Sequence, residues 1–373
     1  MSPEGAALCS LGVSSSEPVS WLSAVGGWLV TRHDLALQVM RESSTFTVDD
    51  PRFSTARVVG ASMLSRDGAE HARHRTPFVP PFRIGPVRER FAPAARAEAE
   101  RLLDVLAPAG GAELRRAFAG PLAAAVVVRA LGLDRDEVAQ VLAWYDTIVA
   151  AVTEITAGGS VTRRAEAAFA DLRTRLEPVI ANGGSLLGEV ASSAELTREE
   201  IVSNAAVLLF GGIETTEGLI ANTLLFLLER PPALALAARD EATLGAAIEE
   251  SLRLEPPAAF VDRYATADVA LGSASVARGD LVRVSIAGAN RDPAVFPDPD
   301  RFDLERPGVR RHLAFAQGPH VCIGVHLARL EARIGIAALL TRLPALRLAA
   351  PAEIEGLVFR KPAALDAVWN PSA

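Results

Sequence analysis

One cysteine stands where its sulfur could do chemistry. Cys322 lies in the run F-A-Q-G-P-H-V-C-I-G at residues 315–324, and a helix-like stretch follows directly at residues 325–331. A cysteine at a helix N-terminus faces unpaired backbone N–H groups and the positive end of the helix dipole, which stabilise its thiolate. Such a thiolate is either a nucleophile or the ligand of a soft metal. A third interpretation is a buried structural cysteine, the usual state of a free cysteine.

A second candidate site is the run G-G-I-E-T-T at residues 211–216, in the middle of a long apolar segment. Gly211 and Gly212 would each weaken a helix by about 1 kcal/mol relative to alanine, so their presence needs a reason. Either the helix packs closely against a neighbouring element there, or a flat cofactor lies against it. Glu214 is costly on an apolar helix unless it pairs with another group or relays protons.

Two further groups of charges have helical spacing. Glu250 and Arg253 are three residues apart and therefore neighbours on one helix face, a spacing that by itself usually marks a surface ion pair. His71 and Arg75 are four residues apart, with His74 beside them, and form either a solvated basic turn or a site for an anion.

The composition limits the class of protein. The chain has 373 residues, half of them hydrophobic, and a net charge of -7, which allows one large domain or two. Cys9 and Cys322 are too far apart for a disulfide framework or a zinc cluster, so a reducing cytoplasm fits best. No basic residue precedes Arg32, which is unlike a signal peptide. The acidic net charge argues against nucleic acid as a partner. Lys361 is the single lysine among 38 basic residues, and this excess of arginine indicates compositional bias.

The pattern of apolar residues predicts mostly helices. Residues 85–180 are largely helical, and Thr197 and Glu200 form a capping box that starts the clearest helix. That helix runs until Pro231, is about 50 Å long, and carries polar residues that favour burial in protein over a membrane span. Another helix covers residues 239–254, and a further one begins near Asp34 as its N-cap.

A smaller part of the chain has strand character. Strands are predicted at residues 26–31, 260–264, 269–271 and 281–286. The connection over residues 290–317 is rich in proline and aspartate, and a structureless loop of that length is usually functional.

The cysteine loop resembles the haem-binding loop of the cytochrome P-450 family, the haem-thiolate monooxygenases. The shared pattern is Phe-x-x-Gly-x-His-x-Cys-x-Gly, although the family usually has glycine where this chain has Ala316. The G-G-I-E-T-T run, the Glu-x-x-Arg pair and the sequence N-R-D-P-A-V-F-P-D-P at residues 290–299 are also similar to family motifs. The resemblance extends over residues 28–359.

The resemblance implies a fold and a cofactor. The expected fold is mainly α with a small β-region, in a single domain over residues 1–373 whose first 20 residues are a variable lead. Haem b would lie between the long central helix and the helix after Cys322, with the Cys322 thiolate as the axial ligand of the iron.

The resemblance also assigns roles to individual residues. Residues expected to bind the cofactor are Cys322, His71, Arg75, Arg263, His320, Phe315, Gly211 and Gly324, with Cys322 as the metal ligand. Within this set the haem propionates would take His71, Arg75, Arg263 and His320. Glu214 and Thr215 would be the acid–alcohol pair that relays protons during catalysis. Glu250 and Arg253 would form a buried structural cluster with Arg306, for which Arg301 is the rival.

The implied reaction is oxygen insertion. A soluble bacterial-type enzyme would hydroxylate or epoxidise a hydrophobic small molecule, such as a secondary metabolite, with O2 and electrons from a ferredoxin and its ferredoxin reductase. No membrane partner is expected. The ferredoxin would approach a positive face formed by Arg310, Arg311, His326 and Arg329; the alternative is that these residues form an ordinary solvated surface. The alternatives are oxidative coupling, desaturation or peroxide-driven oxidation on the same cofactor, and a non-enzymatic haem-binding sensor or structural protein.

The expected substrate pocket is mostly apolar and carries little directional chemistry. The residues predicted to line it are Val58, Met63, Leu209, Phe210, Ile213, Ala259, Phe260, Val261 and Phe359.

Overall fold

The computed structural model describes residues 17–23, 25–156, 159–183, 185–193 and 195–371. Cys9 and most of the predicted lead lie outside the described residues. Helices account for most of the structure, as predicted. They are α1 (His33–Arg41), α2 (Ser54–Val59), α3 (Gly68–Arg75), α4 (Ile84–Pro86), α5 (Ala92–Leu106), α6 (Gly120–Leu131), α7 (Val138–Thr156), α8 (Arg163–Ala181), α9 (Leu186–Ser193), α10 (Arg198–Leu228), α11 (Pro231–Ala237), α12 (Glu241–Leu254), α13 (Ile286–Ala289) and α14 (Val325–Arg342).

The strands are short and form a small β-region. They are β1 (Val19–Leu22), β2 (Gly27–Val30), β3 (Phe46–Thr47), β4 (Gly111–Glu113), β5 (Phe260–Ala265), β6 (Val269–Leu271), β7 (Ala274–Val276), β8 (Leu281–Ser285), β9 (Arg347–Leu348), β10 (Ile354–Glu355), β11 (Lys361–Pro362) and β12 (Asp366–Val368). The largest sheet has the order β1-β2-β8-β5-β3, in which β2 pairs with β8 in parallel. The prediction of a mainly α fold with a small β-region is confirmed.

The central helix α10 begins and ends where the sequence predicts. The Thr197 side chain accepts a hydrogen bond from the Glu200 N–H, and the Glu200 side chain accepts one from the Thr197 N–H, which completes the capping box. The helix has 31 residues and is therefore about 47 Å long. It ends at Leu228, and Pro231 opens the next helix after a bend of 120°. Nearly all of its side chains are buried against α6, α12 and α14, as expected for a helix inside protein.

The start of α1 differs from the prediction. The helix begins at His33 with Arg32 as its N-cap, so Asp34 lies in the first turn rather than at the cap. Its carboxylate accepts two hydrogen bonds from the Arg32 guanidinium and one from the Leu35 N–H. An acid in the first turn favours a helix through its dipole much as a cap does, and sequence alone does not separate the two positions.

Some described helices pass a membrane-span test on length and composition. The helical segment Arg135–Thr156 passes alone, and α10 passes together with α11 as a bent pair. Core helices of globular proteins pass the same test, so the result is a weak indication of a membrane span.

Two hydrophobic clusters position the elements. The larger one joins α5, α6, α7, α10 and α14, and the smaller one joins the largest sheet to α1. The loop that carries Cys322 lies between them, because Leu313 belongs to the smaller cluster whereas Leu327 belongs to the larger.

Candidate functional site

Cys322 is held between a short turn, Gly318–His320, and the start of α14. Its N–H donates to the Phe315 carbonyl at 2.8 Å, which closes the loop. Burial raises the pKa of the Cys322 thiol, whereas the Gly324 N–H and the charges of Arg75 and Arg329 act to lower it. The stabilisation predicted at the helix start is present, but burial outweighs it. Cys322 itself is half-buried, so its sulfur is accessible to a group bound beside the loop.

The loop before Cys322 contains two residues with left-handed backbone. Gly318 has φ 75°, and a Cβ there would lie 2.5 Å from the Met40 carbonyl oxygen, so only glycine fits. Ala316 has φ 56°, a conformation that costs a residue with a Cβ about 1–2 kcal/mol. This is the position where the resembling family usually has glycine. The loop therefore keeps its left-handed turn here despite the alanine.

A cavity of about 340 Å³ lies between α10 and α14. Phe315, Cys322 and Gly324 line it on one side, and Gly211 and Thr215 line it on the other. These five residues come from two regions more than a hundred positions apart in the chain. The structure brings them to one cavity, as the sequence predicted.

The two adjacent glycines of α10 have different surroundings. A Cβ at Gly211 would meet nothing within 4 Å, because this residue faces the cavity. A Cβ at Gly212 would lie 2.5 Å from Cγ2 of Val127 on α6. The close-packing interpretation therefore applies to Gly212, which allows α6 to approach closely, whereas Gly211 leaves room in the cavity for a bound group.

Arg263 places a buried positive charge at this cavity. It is 3% exposed, and its Nη1 donates to the Asp262 carbonyl at 2.8 Å. Its Nε has no hydrogen-bond partner in the described part of the chain. Burial lowers the pKa of Arg263 to about 10, against the opposing charges of Asp67 and Asp262. A buried guanidinium with a free donor favours a carboxylate as its partner.

The other three predicted propionate ligands lie close to this charge. Arg75 and His320 line the cavity; Arg75 donates to the Val321 carbonyl at 2.6 Å, and His320 Nε2 lies 2.8 Å from Asp67 Oδ1. The rings of His71 and His320 are 4.3 Å apart, although His71 itself is not on the cavity wall.

His71 differs from the expected cation. Burial, followed by the charges of His320 and Arg75, lowers the pKa of His71 to about 4, so the imidazole is neutral at physiological pH. Its Nε2 is buried and, among the described residues, has no partner. A neutral imidazole can still donate a hydrogen bond to an anion.

These residues fit a haem. A cysteine sulfur, a glycine-lined space and two buried nitrogen atoms, on Arg263 and His71, surround or adjoin one cavity, and neither nitrogen has a partner among the residues that the structure describes. A haem needs a thiolate for its iron, room for its flat ring and donors for its carboxylates, and this set of residues provides all three.

The predicted acid–alcohol pair is divided between the cavity and the protein interior. Thr215 lines the cavity and donates to the Gly211 carbonyl at 2.6 Å. Glu214 is 3% exposed and is not on the cavity wall; Lys361 Nζ lies 2.8 Å from its Oε1, and the Tyr145 hydroxyl donates to its Oε2. Burial raises the pKa of Glu214, and Lys361 opposes that shift. The helix is uninterrupted here.

The Glu250 cluster has the predicted composition. Arg253 makes two hydrogen bonds of 2.8 Å to the Glu250 carboxylate, and Arg306 Nε donates to Oε1 of the same group at 2.8 Å. Arg301 contributes only its carbonyl, which accepts from both arginines. Glu250 and Arg253 are fully buried, which excludes the surface ion pair that their spacing alone suggested.

Five of the nine residues predicted for the substrate pocket line the cavity. Met63, Phe210, Phe260, Val261 and Phe359 line the cavity, and the rings of Phe210 and Phe359 meet edge to face at 5.3 Å.

The other four residues predicted for the pocket do not line the cavity. They are buried in the protein interior instead: Val58, Leu209, Ile213 and Ala259. The physical reason for two of them is helical phase. The α10 residues on the wall are Val207, Leu208, Phe210, Gly211, Gly212, Thr215, Thr216 and Leu219. Leu209 and Ile213 point to the opposite side of that face.

Sequence reasoning missed two buried groups near the cavity. Glu331 on α14 lines it, is 1% exposed, and has no partner for Oε2 within the described ranges. Burial raises the pKa of Glu331 well above its usual value. Asp262 and Arg283 form a two-bonded ion pair across β5 and β8, also on the wall. The signal for Glu331 was its helical spacing from Leu327 on the same face of α14.

One of the four residues predicted for the positive face does not carry a free charge. Arg310, Arg311 and His326 are exposed, as expected. Arg329 instead makes hydrogen bonds of 2.6 and 2.8 Å to the buried carboxylate of Glu249, so its charge is neutralised within the protein.

Comparison with known proteins agrees with this geometry. The cytochrome P-450 family model matches residues 242–347. Nocardicin C N-oxygenase of Nocardia uniformis subsp. tsuyamanensis is 35% identical, over 92% of this chain and 89% of that protein. Mycinamicin IV hydroxylase/epoxidase of Micromonospora griseorubida is 33% identical, over 96% and 94%. The crystal structure of HmtN, a post-tailoring hydroxylase involved in himastatin biosynthesis, matches with a TM-score of 0.85 at 26% identity, over 99% and 98%. By this similarity along nearly its whole length, the chain belongs to the cytochrome P-450 family.

Proposed function

We propose that this monooxygenase hydroxylates or epoxidises a hydrophobic secondary metabolite of moderate size. The observation that carries the proposal is the cavity wall opposite Cys322, where apolar side chains from α6, α7, α10 and the β5 region converge on Thr215. The named relatives are oxygenases and hydroxylases, several of which act on secondary metabolites. An apolar wall of this kind orients a substrate by shape and excludes water.

Haem b, the cofactor of this family, supplies dioxygen activation at a thiolate-ligated iron. Cys322 would hold the metal, and Arg263 and His71 would bind the propionates through the nitrogen atoms that lack protein partners. Arg75 and His320 would complete the binding of these anions. Charge-assisted hydrogen bonds to a carboxylate contribute about 1.5–3 kcal/mol each.

Thr215 and Glu214 would move protons into the cavity. The Thr215 hydroxyl is the polar group on the wall beside Gly211, and Glu214 is the neighbouring acid in the chain. A hydroxyl can donate and accept at once, so it can pass a proton from an acid behind the wall to a group in front of it.

Electrons would come from a ferredoxin and its ferredoxin reductase. Arg310 and Arg311 are exposed close to the Cys322 loop and carry positive charge on an otherwise acidic protein. Such a patch steers an acidic partner and raises its association rate at low salt. A cytoplasmic location and a single-domain organisation over residues 1–373 accompany this proposal.

A spectral experiment tests the cofactor site. Wild-type protein reduced under carbon monoxide should show the shifted Soret band of a thiolate-ligated haem, and Cys322→Ala should lack it. Cys322→Ser that keeps the shifted band would refute the assignment of Cys322 as the ligand.

A substrate screen followed by labelled dioxygen tests the reaction. Hydrophobic metabolites are added to the ferric protein, and those that change the spin state are turned over with 18O2 and a ferredoxin system. Incorporation of one labelled atom into the product supports oxygen insertion. A product without label indicates coupling or desaturation, and binding without turnover under any ferredoxin indicates a sensor.

A further inference from the structure

The only lysine of the chain lies beside the acid of the acid–alcohol pair. Lys361 is on β11, which packs against α10. Its Nζ is 2.8 Å from Glu214 Oε1, 3.2 Å from Glu217 Oε2 and 3.3 Å from the Tyr145 hydroxyl oxygen. An ammonium group has three N–H donors, so each of these contacts can take one.

The lysine belongs to a buried group of balanced charges. Glu217 is fully buried, and its other oxygen accepts from Arg115 Nη1 at 3.0 Å. Glu355 stands opposite Lys361 on the paired strand β10 but makes no ion pair with it. Two carboxylates thus face two cations in a site where a single unpaired charge would be costly.

This arrangement keeps Glu214 away from the cavity. Both of its carboxylate oxygens are engaged, one by Lys361 and one by Tyr145, whereas Thr215 faces the cavity. A proton that passes from Glu214 to Thr215 therefore requires the Glu214 side chain to leave Lys361.

Glu217 lowers the energetic cost of separating Glu214 from Lys361. When Glu214 turns away, Lys361 keeps a carboxylate partner in Glu217, and Arg115 keeps Glu217 in place. A carboxylate that left Lys361 would be unpaired, so Glu214 turns only as the neutral acid. The Lys361 side chain is also 15% exposed, so it connects the buried acid to solvent.

We propose that Lys361 is a positioning residue that holds Glu214 against Tyr145 and exchanges it for Glu217 when Glu214 turns toward the cavity. Glu214 takes one proton from the Lys361 ammonium and turns as the neutral acid, while the neutral amine left on Lys361 takes up a proton from solvent and pairs with Glu217. Glu214 then releases its proton beside the Thr215 hydroxyl and returns to Lys361 as the carboxylate. The inference rests on the proposed function of Glu214 and Thr215 as the proton relay.

The first test needs no activity. Because the chain has one lysine, protein grown on 15N-lysine gives a single side-chain resonance, which is that of Lys361. Glu214→Gln and Glu217→Gln should each shift this resonance, and the matched control Glu355→Gln should leave it nearly unchanged. If Glu214→Gln leaves it unmoved while Glu355→Gln shifts it, the contact on which the inference rests is absent in solution.

The second test separates positioning from structure. Lys361→Met should lower the fraction of reducing equivalents recovered in product about a hundredfold, the low end of what a positioned proton transfer contributes. It should also change the pH profile of coupling and raise the solvent isotope effect. Lys361→Arg keeps the charge and should restore most of the coupling. The carbon monoxide spectrum and the substrate-induced spin shift should remain those of the wild type in both variants.

The two ideas can fail separately. If Glu214→Gln leaves coupling and its pH profile unchanged, the proposed relay is wrong and Lys361 has nothing to position. If Glu214→Gln impairs coupling but Lys361→Met does not, the relay stands and the inference about Lys361 is overturned. Should Lys361→Met fail to fold, the resonance of wild-type Lys361 measured against Glu214→Gln still decides the point.

Discussion

The glycine pair of α10 offers a matched test of how this helix is packed. We consider Gly212→Ala and Gly211→Ala, two substitutions at adjacent positions of one helix. Each replaces glycine by the best helix former and should gain about 1 kcal/mol from propensity. Because this contribution is common to both variants, the difference between them reports only what the new methyl group meets.

The structure gives the size of that difference. At Gly212 the methyl carbon would lie 2.5 Å from Val127 Cγ2, more than 1 Å inside the usual contact distance of about 3.5–4.0 Å. Val127 is β-branched within a helix and cannot rotate away cheaply. Overpacking of a core costs about 1–3 kcal/mol, so Gly212→Ala should be less stable than Gly211→Ala by that amount.

The assay is urea unfolding followed by far-UV circular dichroism, with the cofactor content of each variant matched. Val127→Ala removes the clashing methyl groups, so the double variant should show a favourable coupling energy of similar size. Gly211→Ala should instead change the binding spectrum of substrates, because its methyl group enters the cavity. Equal stability of the two single variants, or no coupling with Val127, would refute the packing argument.

Three further outcomes follow from buried charges. Burial alone would raise the pKa of Asp67, but hydrogen bonds from His320, Thr47 and the Val48 N–H lower it to about 2. Asp67→Asn should therefore remove about 2 kcal/mol of stability that the wild type has above pH 4 and loses as the pH falls toward 2, seen by acid titration of the unfolding free energy. Glu250→Gln should cost about 3–5 kcal/mol by urea unfolding, whereas Glu241→Gln, in an exposed pair, should change it by less than about 1 kcal/mol. Burial raises the pKa of Glu331, so wild-type stability should fall relative to Glu331→Gln by about 1.4 kcal/mol per pH unit above pH 4.5, until the folded-state pKa is reached; parallel pH profiles would contradict this.

Local signals predicted much of the fold. The capping box at Thr197 and the proline at Pro231 gave the ends of α10 almost to the residue, since capping depends on neighbours three positions apart. The strand at Val269–Leu271 was placed correctly because its signal, like that of a helix cap, lies within a few neighbouring residues. The two- and three-residue strands near the C-terminus were missed because they are too short to show a local strand pattern, and β12 is in addition defined by its pairing with the distant β4.

The candidate site, like the fold, has parts that local motifs predict and parts that they do not. The Cys322 loop and the Glu250 pair are contiguous motifs and were readable directly from the sequence. The contacts of Lys361 with Glu217 and of His320 with Asp67 join residues 144 and 253 positions apart, and no local pattern marks them. Leu209 and Ile213 failed for a third reason: the sequence gives the helix but not its rotation about its own axis.

The close approach of Gly318 to Met40 has a consequence for the order in which the protein can fold during its synthesis. The turn that precedes Cys322 rests on the backbone of α1, and β2 pairs in parallel with β8, some 250 residues later. A ribosome adds about 5–20 residues per second, so the first segment waits many seconds for its partners. The contact between this turn and α1 therefore forms only after residue 318 has been synthesised, and a chain that ends before residue 322 lacks the proposed ligand of the cofactor.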